Sequence, residues 1–312
     1  MKQIRLASIG VGLPEQRLTN QDLSKLVDTS DEWIVQRTGI RERRIAGKDL
    51  LPEDMATTAA KDCLSKTELK PDLVISSTNT TERTIPYQSS VVANRLGLEE
   101  IAAFDISAAC SGMVYGIGAA WGMMETLGFK NALITASERM TAFTDYTDRA
   151  SCVLFGDGAS SILLSSEASS GPEVLAVRLG TDAKGANLIT MGARDGNRNF
   201  WQDGKAVYLF VVSKVIELME SLRKAVGLGK ADPFYVVPHS ANRRMFEAIA
   251  DRCGFPMERM ISNIDRFGNT SSASIGISLE EAWREQRFKP GDVVFLIGYG
   301  AGLSWGGAAL RW

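Results

Sequence analysis

Histidine is almost absent from this chain: 312 residues contain one, His239. A single imidazole excludes an ordinary histidine-rich metal centre, and no metal is expected. Cysteine is scarce, and the four present (Cys63, Cys110, Cys152 and Cys253) include no C-x-x-C pair. Neither a zinc ribbon nor a disulfide framework fits so few thiols in so long a chain. An excess of charge of one sign is also missing: the formal net charge is −2 and the pI is about 5.7. With no run of like charge, the footprint of a nucleic-acid or membrane-surface binder is not there. No apolar run approaches the length needed to span a bilayer. The N-terminal stretch, broken early by Gly10 and Pro14, lacks the form of a secretion signal. A soluble, cytoplasmic protein is expected. At 45% hydrophobic, it has enough apolar residue for one large core or two ordinary ones.

What is present is an alternation of strand-like and helix-like segments. Apolar runs at 73–76, 102–106, 132–135, 161–164, 234–237 and 293–297 have the form of buried strands. Between them lie helical periods. Met113, Val114, Ile117, Trp121, Met124 and Leu127 form one, Val207 to Val226 a second, and Ile275, Leu279 and Ala282 a third. Such alternation predicts an α/β architecture with a mostly parallel sheet. The polar, small-residue stretch 165–172 falls near the midpoint, either as a boundary or as a loop. The halves 1–166 and 167–312 share a rhythm of strand, polar or reactive residue, then helix. The strand–Cys110–helix unit finds its counterpart in the strand–His239–helix unit.

Three polar groups far apart in sequence stand in similar settings. Cys110 follows the 102–106 strand and opens a helix, with Ala108, Ala109 and Gly112 around it. Small neighbours permit a sharp turn that projects the sulfur. The positive end of the helix dipole there predicts a lowered thiol pKa and a nucleophile at neutral pH. His239 ends the 234–237 strand after Pro238, and Asn269 lies in Gly268-Asn269-Thr270-Ser271. A cysteine supplies a nucleophile, while imidazole and amide supply hydrogen-bond donors for a developing oxyanion. Taken singly, each has a structural reading: a buried thiol, a hydrogen-bonded histidine, a turn asparagine. Glycines at 298, 300, 302, 306 and 307 would let backbone N–H groups approach a ligand. The spacing is not that of a phosphate-binding loop.

These segments together resemble the β-ketoacyl-acyl-carrier-protein synthase III family of the thiolase-like superfamily. Ser30-Asp31-Glu32-Trp33-Ile34-Val35-Gln36-Arg37-Thr38-Gly39-Ile40-Arg41-Glu42-Arg43 is similar to its N-terminal signature. Ala109-Cys110-Ser111-Gly112, Phe155-Gly156-Asp157-Gly158-Ala159, Pro238-His239-Ser240-Ala241-Asn242 and Gly268-Asn269-Thr270-Ser271 follow its other motifs in order. The resemblance implies a five-layer αβαβα fold of two similar halves and a homodimer. It implies that Cys110 takes an acyl group from acyl-coenzyme A, and that malonyl-acyl carrier protein is then decarboxylated with His239 and Asn269 on its thioester carbonyl. The N–H groups of Cys110 and Ala301 would form an oxyanion hole. Trp33, Arg37 and Arg149 match positions that hold the adenine end of coenzyme A. Asn242 matches a pantetheine contact, Arg244 a carrier-protein contact, and Phe155 a wall of the acyl pocket. No cofactor is implied, since acyl-coenzyme A is a substrate.

Some positions depart from the family pattern. Ala301 replaces a glycine, which costs energy if its φ must be positive. Leu209 and Asp251 stand where basic docking residues are common, and Ile85 where a phenylalanine often lines the partner subunit's pocket. Two other readings stand beside the leading one. One is a related condensing enzyme or acyltransferase of polyketide or specialised metabolism. The other is a non-catalytic partner subunit, which would be expected to lose the polar triad.

Overall fold

The computed structural model describes residues 2–192 and 198–312. Nine strands carry the architecture: β1 (Arg5–Gly12), β2 (Leu73–Ser77), β3 (Ala102–Ile106), β4 (Asn131–Arg139), β5 (Asp157–Ser165), β6 (Glu173–Thr181), β7 (Tyr235–Pro238), β8 (Val293–Gly300) and β9 (Ser304–Arg311). They bond in the order β7-β8-β9-β6-β1-β5-β4-β2-β3. At the centre of that order, β1 and β6 share the single register pair Arg5–Glu173. This seam divides the strands into a five-stranded and a four-stranded sheet.

Six helices position the site: α1 (Asp31–Thr38), α2 (Pro52–Leu64), α3 (Gly112–Thr126), α4 (Gly204–Ala225), α5 (Arg243–Cys253) and α6 (Ser274–Arg284). Helix α2 covers the outer face of β1, β5 and β4, and α4 covers β9, β6 and β8. Helices α3 and α6 each touch strands of both sheets, so they form a middle layer. The result is the five-layer αβαβα arrangement. Its deepest apolar cluster lies around α3 and α6, with Met113, Ile117, Ile275 and Leu279 inaccessible to solvent.

The sheets are mixed rather than mostly parallel. Pairs β2–β3, β2–β4 and β7–β8 are parallel, whereas β1–β5, β4–β5, β8–β9, β6–β9 and β1–β6 are antiparallel. Helices cover both faces of β4, β5 and β8, so these strands are buried at every position although each has an antiparallel neighbour. The two sheets nevertheless repeat one pattern. In the first, β1 is antiparallel to β5, β5 antiparallel to β4, and β4 parallel to β2. In the second, β6, β9, β8 and β7 repeat it. The β3 position is held in the second sheet by Met260, in an isolated parallel bridge with Val236. By this register the counterpart of the β3–Cys110–α3 unit is the Met260–Asn269–α6 unit, not the strand bearing His239.

Small residues let the middle layer fit. An added Cβ at Gly276 would lie 2.3 Å from Ser160 Oγ and 2.5 Å from its Cβ, whereas one at Gly122 meets nothing within 4 Å. Gly276→Ala should therefore cost about 1–3 kcal/mol through overpacking, while Gly122→Ala on α3 should be neutral or stabilising by up to about 1 kcal/mol. Thermal unfolding of the two variants checks this, and equal midpoints would contradict it.

Candidate active site

The chain leaves β3 and enters a 3-10 turn, Ala109–Ser111, before α3 begins. Ala109 sits at φ 47°, a left-handed conformation that non-glycine residues rarely adopt. This kink sets Cys110 at the floor of a cavity of about 900 Å³ that is also lined by His239, Asn269, Ser271, Gly300 and Ala301. Strand β8 presses against the turn: a Cβ on Gly300 would lie 2.8 Å from the Cys110 nitrogen. The residue that needs glycine in the next turn is Gly302, at φ 124°. Ala301 is not among the residues with positive φ, so its methyl is carried without that penalty. The glycine-rich C-terminal segment is accordingly strand on both sides of one short turn, Ala301–Leu303, and it meets the cavity at Tyr299, Gly300 and Ala301.

His239 follows β7. Its N–H donates to the Ile297 carbonyl at 2.7 Å, and its own carbonyl accepts from Tyr299 Oη at 3.0 Å. The ring meets Tyr299 edge to face, with centroids 5.2 Å apart. Burial drives its pKa down to about 3, against an opposing hydrogen bond to the Ser271 carbonyl. The imidazole is neutral at pH 7. Its Nδ1 and the Ser271 carbonyl both lie 2.8 Å from Ser274 Oγ, which has one proton; given to Nδ1, that proton keeps the ring's own proton on Nε2, where the imidazole can act as a donor.

Asn269 is pinned through its backbone. Its N–H donates to Leu154 at 2.8 Å and its carbonyl accepts from Gly156 at 3.1 Å. Its Oδ1 accepts from the Ser271 N–H at 2.9 Å, which leaves Nδ2 as the donor available to the cavity.

Ser271 ties these three residues together, and sequence reasoning did not single it out. It is itself left-handed, at φ 51°. Its amide orients Asn269, its carbonyl lies 2.8 Å from Ser274 Oγ, and its hydroxyl lies 3.4 Å from Cys110 Sγ. Behind it sits Glu138, also missed, because β4 runs four residues past the apolar stretch that marks it in sequence. The signal available was a carboxylate next to a run of strand formers. Burial, joined by the Glu138 charge and opposed by the Ser271 hydroxyl, pushes the Cys110 thiol up to about 12. The lowered pKa expected from the helix dipole is thus outweighed: the resting nucleophile is a thiol.

Outside the residues that line the cavity, Ser30 Oγ accepts the Trp33 N–H at 3.1 Å and starts α1, with Gly39 at φ 81° closing it. The Arg37 and Arg149 guanidinium carbons lie 5.7 and 4.9 Å from the Trp33 ring centroid. Asn242 caps α5 and lines the cavity, and Arg244 Nε donates to the Gln36 carbonyl at 3.1 Å. That bond ties α1 to α5. Phe155 is buried in the cavity wall, edge-on to Phe200 with centroids 4.6 Å apart. Ile85 is not part of this wall: it is 83% exposed on the loop after β2. Leu209 and Asp251 are both on the surface.

A buried thiol and neutral donors from two halves of a five-layer fold define a thiolase-like condensing enzyme. Two segments, 104–183 and 222–312, match the family models for 3-oxoacyl-[acyl-carrier-protein] synthase III and its C-terminal part. The β-ketoacyl-[acyl-carrier-protein] synthase III of Oceanobacillus iheyensis is 38% identical, over 99% of either chain. The crystal structure of the Aquifex aeolicus 3-oxoacyl-[acyl-carrier-protein] synthase III superposes with a TM-score of 0.94 at 36% identity, covering 99% of this chain and 100% of that one. A priming β-ketosynthase of the R1128 polyketide pathway superposes at 0.92 with 32% identity, covering 99% and 96%. The chain belongs to the β-ketoacyl-[acyl-carrier-protein] synthase III family. Among the described residues, no helix is long and apolar enough to cross a membrane.

The site's electrostatics predict slow alkylation of Cys110 by iodoacetamide at neutral pH in the empty protein. The rate should keep climbing above about pH 9, past the free-thiol value. A plateau near pH 7 would show a resting thiolate instead.

Proposed function

We propose that this chain starts fatty-acid chains by decarboxylative Claisen condensation, with Cys110, His239 and Asn269 as its catalytic residues. The Cys110 sulfur attacks the carbonyl of acyl-coenzyme A, a carbon–sulfur bond forms, and coenzyme A leaves. Malonyl-[acyl carrier protein] then enters the same cavity. Its thioester carbonyl accepts hydrogen bonds from His239 and Asn269, the carbon–carbon bond to the carboxylate breaks, and carbon dioxide leaves. The enolate carbon attacks the acyl-cysteine, the carbon–sulfur bond to Cys110 breaks, and the released thiolate takes up a proton from solvent, giving 3-oxoacyl-[acyl carrier protein] and a free thiol. Fixed donors that meet charge only as it develops act most strongly where water is excluded.

The observation that carries this reading is the wiring of all three residues to Ser271 around one cavity. The backbone N–H groups of Cys110 and Ala301 serve as the oxyanion hole, a reading supported by the close approach of Gly300 to Cys110. Trp33, Arg37 and Arg149 take the adenine end of coenzyme A, Asn242 the pantetheine, and Arg244 the carrier protein. Phe155 walls the acyl group, and Ile85 reaches the pocket of a second subunit. The homodimer is supported by β3, an edge strand with all five residues half-buried and no further strand on its free edge among the described residues. The halves divide at 1–166 and 167–312, no cofactor takes part, and the enzyme works in the cytoplasm.

A second reading, priming of a polyketide or other specialised product, is supported by the likeness to the R1128 enzyme. Donor choice separates the two. Loading strongest with acetyl or short branched groups favours fatty-acid initiation, and loading only with longer or unusual groups favours the second.

Two variants test the roles. Cys110→Ser should abolish the acyl mass gain seen by intact-protein mass spectrometry. His239→Ala should keep that gain and lose malonyl decarboxylation by about 10²–10³-fold, as loss of one oxyanion donor does. Native condensation by Cys110→Ser would rule the assignment out.

A further inference from the structure

Glu138 is wholly inaccessible to solvent. Its oxygens receive Thr78 Oγ1 at 3.5 Å, Asn79 N at 3.0 Å, Asn79 Nδ2 at 3.4 Å, Thr80 Oγ1 at 2.8 Å, Ser271 Oγ at 3.2 Å and Ser272 Oγ at 2.9 Å. Every donor is neutral, and among the described residues no cation pairs with it. A buried carboxylate without a counter-ion costs stability, and beside a nucleophile it marks a functional group.

The proton count gives it a task. A serine hydroxyl has one proton. Ser271 donates that proton to Glu138 Oε1, so in its contact with Cys110 Sγ the thiol must be the donor. The hydrogen bonds therefore run one way, from Sγ–H to Ser271 Oγ and from Ser271 Oγ–H to the carboxylate.

We propose that Ser271 and Glu138 form a relay that takes the Cys110 proton while the acyl group is loaded, an inference that rests on Cys110 being the nucleophile. The S–H bond breaks as its proton passes to Ser271 Oγ, and the serine's own proton passes to Glu138 Oε1. The freed sulfur pair forms the bond to the acyl carbon, and the carbon–sulfur bond to coenzyme A breaks. The departing thiolate recovers the proton by the reverse route through Ser271, which lines the cavity, so coenzyme A leaves as a thiol and Glu138 is again ionised. Burial strengthens Glu138 as an acceptor by raising its pKa, and Cys110 is the titratable group that faces it.

The opposite sign is expected of a mere neighbouring anion. Removing its charge would make the thiol more acidic and speed its reactions, whereas removing the end of a relay slows them. The test uses the full chain with Ser271→Ala, Glu138→Gln and a Cys110→Ser control. Rapid-quench intact mass spectrometry follows loading from acetyl-, isobutyryl- and hexanoyl-coenzyme A between about pH 6 and pH 9. Enzyme loaded beforehand is then given malonyl-[acyl carrier protein].

Both relay variants should load about 10²–10³-fold more slowly at neutral pH, gaining rate as hydroxide replaces the relay. Once loaded, they should condense within about threefold of wild type. The relay is overturned if Glu138→Gln loads at or above the wild-type rate, or if both variants lose condensation in proportion to loading. Should Glu138→Gln not fold, Ser271→Ala, which deletes one oxygen atom, decides alone. Failure of wild type to load, or loading by Cys110→Ser, would instead sink the role given to Cys110.

Discussion

Two helices of this protein begin deep inside it. The 3-10 turns before α3 and α6 lie between two sheets and touch each other, where the free N–H and C=O groups of a helix start have little water to meet. Every polar group there needs a partner from the protein, and the rest of the site follows from how that demand is met. Ser271 answers it with three groups at once: its amide to Asn269, its carbonyl to Ser274, its hydroxyl to Glu138. A residue so fully engaged cannot move without disturbing the three cavity residues it touches. Its left-handed φ of 51° is the strained conformation that makes these bonds simultaneous.

The same burial fixes the charge state. Desolvation holds His239 neutral and Cys110 protonated. Glu138, whose pKa burial raises, is wrapped in neutral donors. A site of this kind has little charge of its own at rest. Its donors are aimed at charge that appears during reaction, and a dry surrounding makes such donors count for more.

Much of this was legible in the sequence, and the gaps have physical causes. The strand at 102–106 has the same limits in the structure. Strand β4 extends from 131 to 139, beyond the run at 132–135, because Ser137 and Glu138 are buried polar residues that interrupt the apolar pattern. Glycines 306 and 307, expected to let backbone N–H groups approach a ligand, lie within strand β9. Its glycines serve packing: a Cβ on Gly307 would lie 2.7 Å from Leu222 Cδ1 of α4. The meeting of Cys110, His239 and Asn269 could be expected from their motifs. The places of Ser271 and Glu138 could not, since they depend on a backbone torsion and on how far a strand runs.

The repeated sheet pattern gives the turn at Ala109 a twin. Ala109–Ser111 precedes α3 and Ser271–Ala273 precedes α6; each is a three-residue turn opened by a left-handed residue. Aligned on that geometry, Ala109 corresponds to Ser271 and Cys110 to Ser272. The fold thus contains two equivalent nucleophile positions facing each other across an internal axis. One carries a thiol open to the cavity, while the other carries a hydroxyl turned inward to Glu138. Doubling one unit and then letting the copies diverge is enough to separate the reacting atom from the groups that serve it.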